Sequence, residues 1–209
     1  MSWLIVTPDR NSKGKRDYTG AFRPEAAAFL KHHGRTETPV RVALDTSPHM
    51  RQVQLLGAIN DSPPLELIAL FTHGLRSRLP QFGWSLSDVS ELALMIVMHS
   101  VPDVRVVLYA CDTAAGTGPG GDGGFADALR DETVRLGALG CQVDAHKTAG
   151  HTTRNPYVRR FDASQQGKGG TWLVDPDGPL WRRWVRALRE TPLRYDFPLL
   201  TQAEIHARL

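Results

Sequence analysis

Leu65-Glu66-Leu67-Ile68-Ala69-Leu70-Phe71-Thr72-His73-Gly74 is an apolar run closed by a histidine and a glycine. Val104-Arg105-Val106-Val107-Leu108-Tyr109-Ala110-Cys111-Asp112-Thr113 is a second such run, closed by a cysteine. Both have strand length and little polar interruption, as expected of strands covered on both faces. Between them Ser87-Asp88 offers a cap for a helix over Val89 to Met98, whose dense apolar content predicts burial on most sides. A strand–helix–strand unit crosses over right-handedly, which places its strands side by side or one apart. Residues just past the carboxyl ends of such strands converge on one rim, where ligands bind. A thiol and an imidazole on that rim are the minimum equipment for nucleophilic acyl transfer.

The same rhythm extends outward in both directions. Residues 2–7 read as a first strand, followed by a basic polar loop through Asp17 and a helix from Pro24 to about Gly34. Val40 to Leu44 alternates as a short strand, and Ser47-Pro48 supplies a cap and first-turn proline for a helix through Ile59. Residues 75–85 read as a polar loop. A helix over Phe125 to Leu136 and a strand from Cys141 to His146 complete the regular part. Beyond it, the stretches near Tyr157–Phe161 and Thr171–Val174 suit short strands or an edge hairpin. The whole predicts an α/β fold of three layers, a mostly parallel central sheet with helices on both faces. Residues 1–175 form the domain, and 176–209 a helical extension packed on it. In that extension Trp181, Trp184, Val185 and Leu188 share one face and Arg182, Arg183, Arg186 and Arg189 the other, before a turn at Phe197–Leu200 and a last short helix.

Composition excludes several classes. No apolar stretch approaches a membrane span, and Met1 to Arg10 has no basic leader and too short an apolar run for an export signal, so a cytoplasmic protein is expected. A formal charge of +3 is too small to imply nucleic acid. Cys111 and Cys141 lack second ligands at metal spacing, so neither metal nor cofactor is expected. Cys141 opens a strand and reads as packing; His99 closes a helix and suits its dipole.

Phe71-Thr72-His73-Gly74 together with Tyr109-Ala110-Cys111-Asp112-Thr113 resembles the caspase-like cysteine peptidases, the clan of caspases, metacaspases, clostripain, gingipains, separase and bacterial CHAT-type domains. The resemblance covers roughly residues 1–165. Only the Ala-Cys core of the longer caspase signature is present, and the residues after Cys111-Asp112 are closer to the CHAT-like members. The resemblance implies a cysteine endopeptidase with Cys111 as nucleophile and His73 as acid and base. The backbone N–H groups of Gly74 and Cys111 would form its oxyanion hole. Protein or peptide substrates follow, and an activating partner protein is one further implication.

Other residues divide between alternatives. Clan members choose acidic or basic side chains by charge pairing in the pocket. Asp112 with Asp144 would make an acidic pocket; Arg10, Arg154 and Arg159 a basic one. His151, in the segment Thr148–Pro156, is either a second imidazole near the site or a loop residue. Gly116–Gly124 lacks the lysine and hydroxyl spacing of a phosphate loop and reads as a mobile loop bordering the cleft, able to cover it. Two rivals stand beside the peptidase: a non-catalytic or regulatory member of the same fold, and a flavodoxin-like or nucleotide-binding module that uses the glycine loop.

Overall fold

A computed structural model describes residues 2–9, 22–148 and 157–190, the side chains at 184, 185 and 187–190 excepted. Arg10, His151, Arg154 and the expected turn at 197–200 lie outside the described residues. Along the chain run β1 (Ser2–Pro8), α1 (Phe22–His32), β2 (Val40–Val42), α2 (Pro48–Asn60), β3 (Leu65–Phe71), β4 (Arg78–Leu79), β5 (Trp84–Ser85) and α3 (Val89–His99). They are followed by β6 (Ser100–Tyr109), α4 (Phe125–Arg135), β7 (Gln142–His146), β8 (Val158–Phe161), β9 (Thr171–Trp172) and α5 (Pro179–Glu190).

Among the described residues one seven-stranded sheet has the order β2-β1-β3-β6-β7-β8-β9. The five strands from β2 to β7 in that order are parallel; β8 and β9 are added antiparallel. β3 and β6 are direct neighbours, as the crossover rule requires of the two apolar runs. Period-two alternation splits their side chains between two cores. Ile68, Leu70, Val106 and Leu108 pack beneath α2, α3 and α4, whereas Phe71, Val107 and Tyr109 pack with Phe22, Ala26 and Phe29 of α1 on the opposite face. The result is the expected three-layer α/β fold.

Local chemistry sets the helix ends. Ser47 caps α2 by accepting from the Met50 N–H at 3.2 Å, with Pro48 in the first turn. Two expectations need correction here. α3 is not buried on most sides: Val89, Leu92, Ala93 and Ile96 face the sheet while Leu94 (43% exposed) and Met98 (66%) face outward. A helix lying on a sheet offers it one stripe, however apolar the rest of its surface. Residues 75–85 are not merely a polar loop either. β4 and β5 pair within that stretch, and Leu79, Phe82 and Trp84 are buried in the larger core.

At the far end, α5 buries Leu180 and Trp181, the latter 4.8 Å from the Tyr157 ring, and exposes Arg182, Arg183 and Arg186. No helix among the described residues is long and apolar enough to cross a membrane.

Candidate active site

β3 and β6 end together. Phe71 pairs with Tyr109, and the Thr72 N–H donates to the Tyr109 carbonyl at 3.2 Å as the last rung. His73 and Cys111 each stand two residues beyond that pair, on neighbouring strands whose axes lie about 4.8 Å apart. Phe71 and Tyr109 stack face to face on the α1 side, 4.2 Å between centroids and 13° between planes. His73 lies on that same side. The Phe22 ring meets the His73 imidazole edge-on there, at 5.0 Å and 80°. His73 and Cys111 are both partly exposed.

Gly74 shows how close the two chain ends come. A Cβ at this position would overlap the Cys111 carbonyl oxygen and stand 2.7 Å from the Ala110 Cβ and 2.8 Å from the Thr113 Cγ2. Only a residue without a side chain lets the backbone after His73 lie against the backbone at Cys111. The turn at Cys111 is itself tightly closed: Thr113 Oγ1 donates to the Ala110 carbonyl at 2.9 Å, and the Ala115 N–H to the Asp112 carbonyl at 2.8 Å. Asp112 is, among the described residues, the one non-glycine residue with positive φ, at +59°. Aspartate tolerates this left-handed region better than most residues, and such conformations cluster where backbone is bent for function.

α4 clamps both turns. Its N-cap, Gly124, has no side chain to satisfy the free N–H groups of the first turn. Phe125 N–H donates instead to the Arg76 carbonyl at 2.8 Å, in the segment after His73-Gly74, and Ala126 N–H to the Thr113 carbonyl at 3.0 Å, in the turn after Cys111. The Ala114 N–H reaches the His146 carbonyl at the end of β7, 2.9 Å away. His146 is buried, its ring 5.8 Å from Tyr109, one row below the two candidate groups.

The expected pocket residues divide differently from either scheme. Asp144 does not belong to an acidic pocket. It is fully buried on β7, accepting from Arg105 Nε at 2.7 Å and from Arg160 Nε and Nη2 at 2.9 Å each. Its charge is neutralised within the sheet face, and the bonded carboxylate holds the Arg160 guanidinium above its usual range. Asp112 remains beside Cys111, held by its own backbone turn. Arg159 lies under the loop after Cys111: Nη1 donates to the Ala114 carbonyl at 3.3 Å, and the guanidinium covers the Trp172 ring at 4.3 Å. Burial pulls its pKa down, and its contacts make it a brace for that loop.

Gly116–Gly124 also differs from expectation. It is a coil bonded to itself, from Gly118 N–H to the Asp122 carbonyl (3.0 Å), Asp122 N–H to Pro119 (3.2 Å) and Gly124 N–H to Gly121 (3.1 Å), and is joined to the strand end by Gly170 N–H donating to Gly120 at 2.9 Å. Gly121, buried and at φ +86°, packs against the Ala114 carbonyl. Close packing, rather than mobility, accounts for this composition. The N–H groups of Gly118, Asp122 and Gly124 are thus already bonded within the coil and not free to cradle a phosphate.

Cys141 is buried against α4 and its thiol is pushed up by desolvation, as suits packing. Among the described residues no three His, Cys, Asp or Glu side chains gather to hold a metal. A groove of about 500 Å³ opens at the other end of α1, beside Lys31, Arg35 and Pro39. It takes no part in this site, since the helix rise sets Lys31 about 13 Å along the axis from Phe22. Family models, curated proteins and solved structures contain no match to this chain.

Sequence reasoning missed Gln81 and Phe22, both in contact with the His73 segment. For Gln81 a signal existed: Leu79, Phe82 and Trp84 surround it, too apolar a setting for a solvent loop.

Proposed function

We propose that this chain is a cysteine endopeptidase of the caspase-like clan, acting in the cytoplasm on protein substrates through His73 and Cys111. The observation that supports the reading is the register: His73 and Cys111 each follow by two residues the paired ends of two parallel neighbours, with Gly74 laid against Cys111. The Cys111 sulfur attacks the scissile carbonyl carbon as thiolate, its proton passing to the His73 imidazole. The carbonyl oxygen gains the negative charge, which the backbone N–H groups of Gly74 and Cys111 would stabilise. Collapse of the tetrahedral species breaks the C–N bond, and His73 protonates the departing amine. Water, deprotonated by His73, then hydrolyses the thioester and restores the thiol.

Profiling with a library of peptide acyloxymethyl ketones tests this directly. The expected result is covalent labelling confined to Cys111, lost in Cys111→Ala and reduced at least tenfold in His73→Ala. Labelling that ignores His73 and the peptide portion of the probe overturns the peptidase reading.

A further inference from the structure

Where β3 leaves the sheet, the backbone N–H of His73 finds its acceptor outside the ladder. It donates to the side-chain oxygen of Gln81 at 2.8 Å, and the Thr72 hydroxyl donates to the same oxygen at 3.0 Å. Gln81 is buried, so that this amide replaces a sheet rung for groups that water does not serve.

Gln81 is in turn fastened to α2. Arg51 Nη1 donates to the Pro80 carbonyl at 3.2 Å and to the Gln81 carbonyl at 3.1 Å, and Gln52 Nε2 donates to the Gly83 carbonyl at 2.8 Å. Gly83, at φ +78°, rests on the Pro48 backbone at the start of α2. The segment 80–83 is thereby held at three points on one helix end, with its glutamine directed back at the strand exit.

We propose that Gln81 is a positioning residue for His73, holding the strand exit at a fixed angle through the shared side-chain oxygen while Arg51 and Gln52 anchor it to α2. Phe22 restrains the imidazole from one side; Gln81 fixes the backbone from which the imidazole projects. Without the amide oxygen, the His73 N–H loses its acceptor, the Thr72 hydroxyl is left with the His73 carbonyl at 3.3 Å, and the chain is free to turn where the histidine must face Cys111. Attack geometry is sensitive to displacements of this kind, whereas substrate binding along the rim is less so. The role rests on the proposed function for its catalytic consequence and on the hydrogen bonds alone for its structural one.

The test compares wild type, Gln81→Leu, Gln81→Glu and Arg51→Gln by thermal melting, by cleavage of the best peptide found in the probe screen, and by an NMR titration of the His73 ring protons. Gln81→Leu is expected to lower kcat at least tenfold with KM changed less than twofold. Gln81→Glu keeps an oxygen acceptor for both donors, so it is expected to recover most of the lost kcat. Its charge favours imidazolium, so the His73 titration and the acid limb of the cleavage profile should both move upward. Arg51→Gln should give an intermediate kcat. Equal kcat in wild type and Gln81→Leu overturns the inference, as does a Gln81→Glu protein whose His73 titration is unmoved. Wild type that neither cleaves nor labels at Cys111 overturns the peptidase reading instead; the titration then still decides whether Gln81 governs His73.

Discussion

His73 and Cys111 lie level with each other, each two residues past the Phe71–Tyr109 pair that ends the β3–β6 ladder. Their relative placement is therefore set jointly by the sheet and by the turns that leave it. Strand spacing sets the distance, the stacked Phe71 and Tyr109 rings form the floor beneath, and the first two N–H groups of α4 hold the turns that follow. A one-residue slip of β6 against β3 would shift Cys111 by one position relative to His73, so the ladder is a precondition for the pairing.

The two cysteines should separate cleanly. Cys111 is partly exposed at the rim, whereas Cys141 is buried and its thiol is pushed up by desolvation. In the folded protein iodoacetamide is expected to modify Cys111 about 100-fold faster than Cys141, because burial and a raised pKa both hold Cys141 back. Peptide mapping by mass spectrometry checks this. Cys141→Ala should leave cleavage intact, at a modest cost in stability from the small cavity.

Gly74→Ala inserts a methyl group against the Cys111 carbonyl. Overpacking of this kind costs about 1–3 kcal/mol, and each kcal/mol lowers Tm by about 2–4 °C in a chain of this size. Under the proposed function, cleavage should fall much further than stability, since the atom displaced belongs to Cys111. Calorimetry beside a cleavage assay measures both, and a variant with wild-type turnover would show that Gly74 has no part in the site.

Alkaline stability should report on Tyr109. Burial pushes its phenol well above its usual 10.0. The folded state therefore keeps a proton that the unfolded state gives up. Stability is fully present below about pH 10 and declines as pH rises beyond it, by about 1.4 kcal/mol per pH unit for this one group. The raised Cys141 thiol adds a decline of the same sign, starting near 9. Denaturant titrations from pH 8 to 11 should show a shallower fall for Tyr109→Phe than for wild type.

Hydrogen exchange discriminates between a close-packed glycine coil and a gate. The amides of Gly118, Gly121, Asp122 and Gly124 all have backbone acceptors. They should exchange slowly in the free protein and change little when a covalent inhibitor occupies Cys111. Rapid exchange that slows on inhibition would restore the gating expectation.

What could be read in the sequence was local and periodic. β3 and β6 announced themselves as apolar runs, their crossover fixed their adjacency, and the residues just past their ends were already the two that share the rim. Asp144 could not be assigned that way. Its partners Arg105 and Arg160 come from the strands on either side of it, and they meet only because the register aligns them. Gln81 was hidden for a similar reason: its role depends on where β3 leaves the sheet, and its anchors come from a helix thirty residues upstream. Glycine content misled because the same residue serves flexible chain and chain packed too closely for a Cβ.

The fastenings of the Cys111 turn bear on the order in which the protein is made. Ala114 is tied to His146 and Arg159, and Gly120 to Gly170, so the turn depends on chain that follows it by as many as fifty residues. A nascent polypeptide that has emerged only as far as Arg135 carries both the imidazole and the thiol but none of these ties. Non-local pairings of this kind form late. The Cys111 turn is thus fully fastened only once β7, β8 and β9 have left the ribosome, and a chain cut short after α4 would hold that turn by its own internal bonds and the Ala126–Thr113 bond alone.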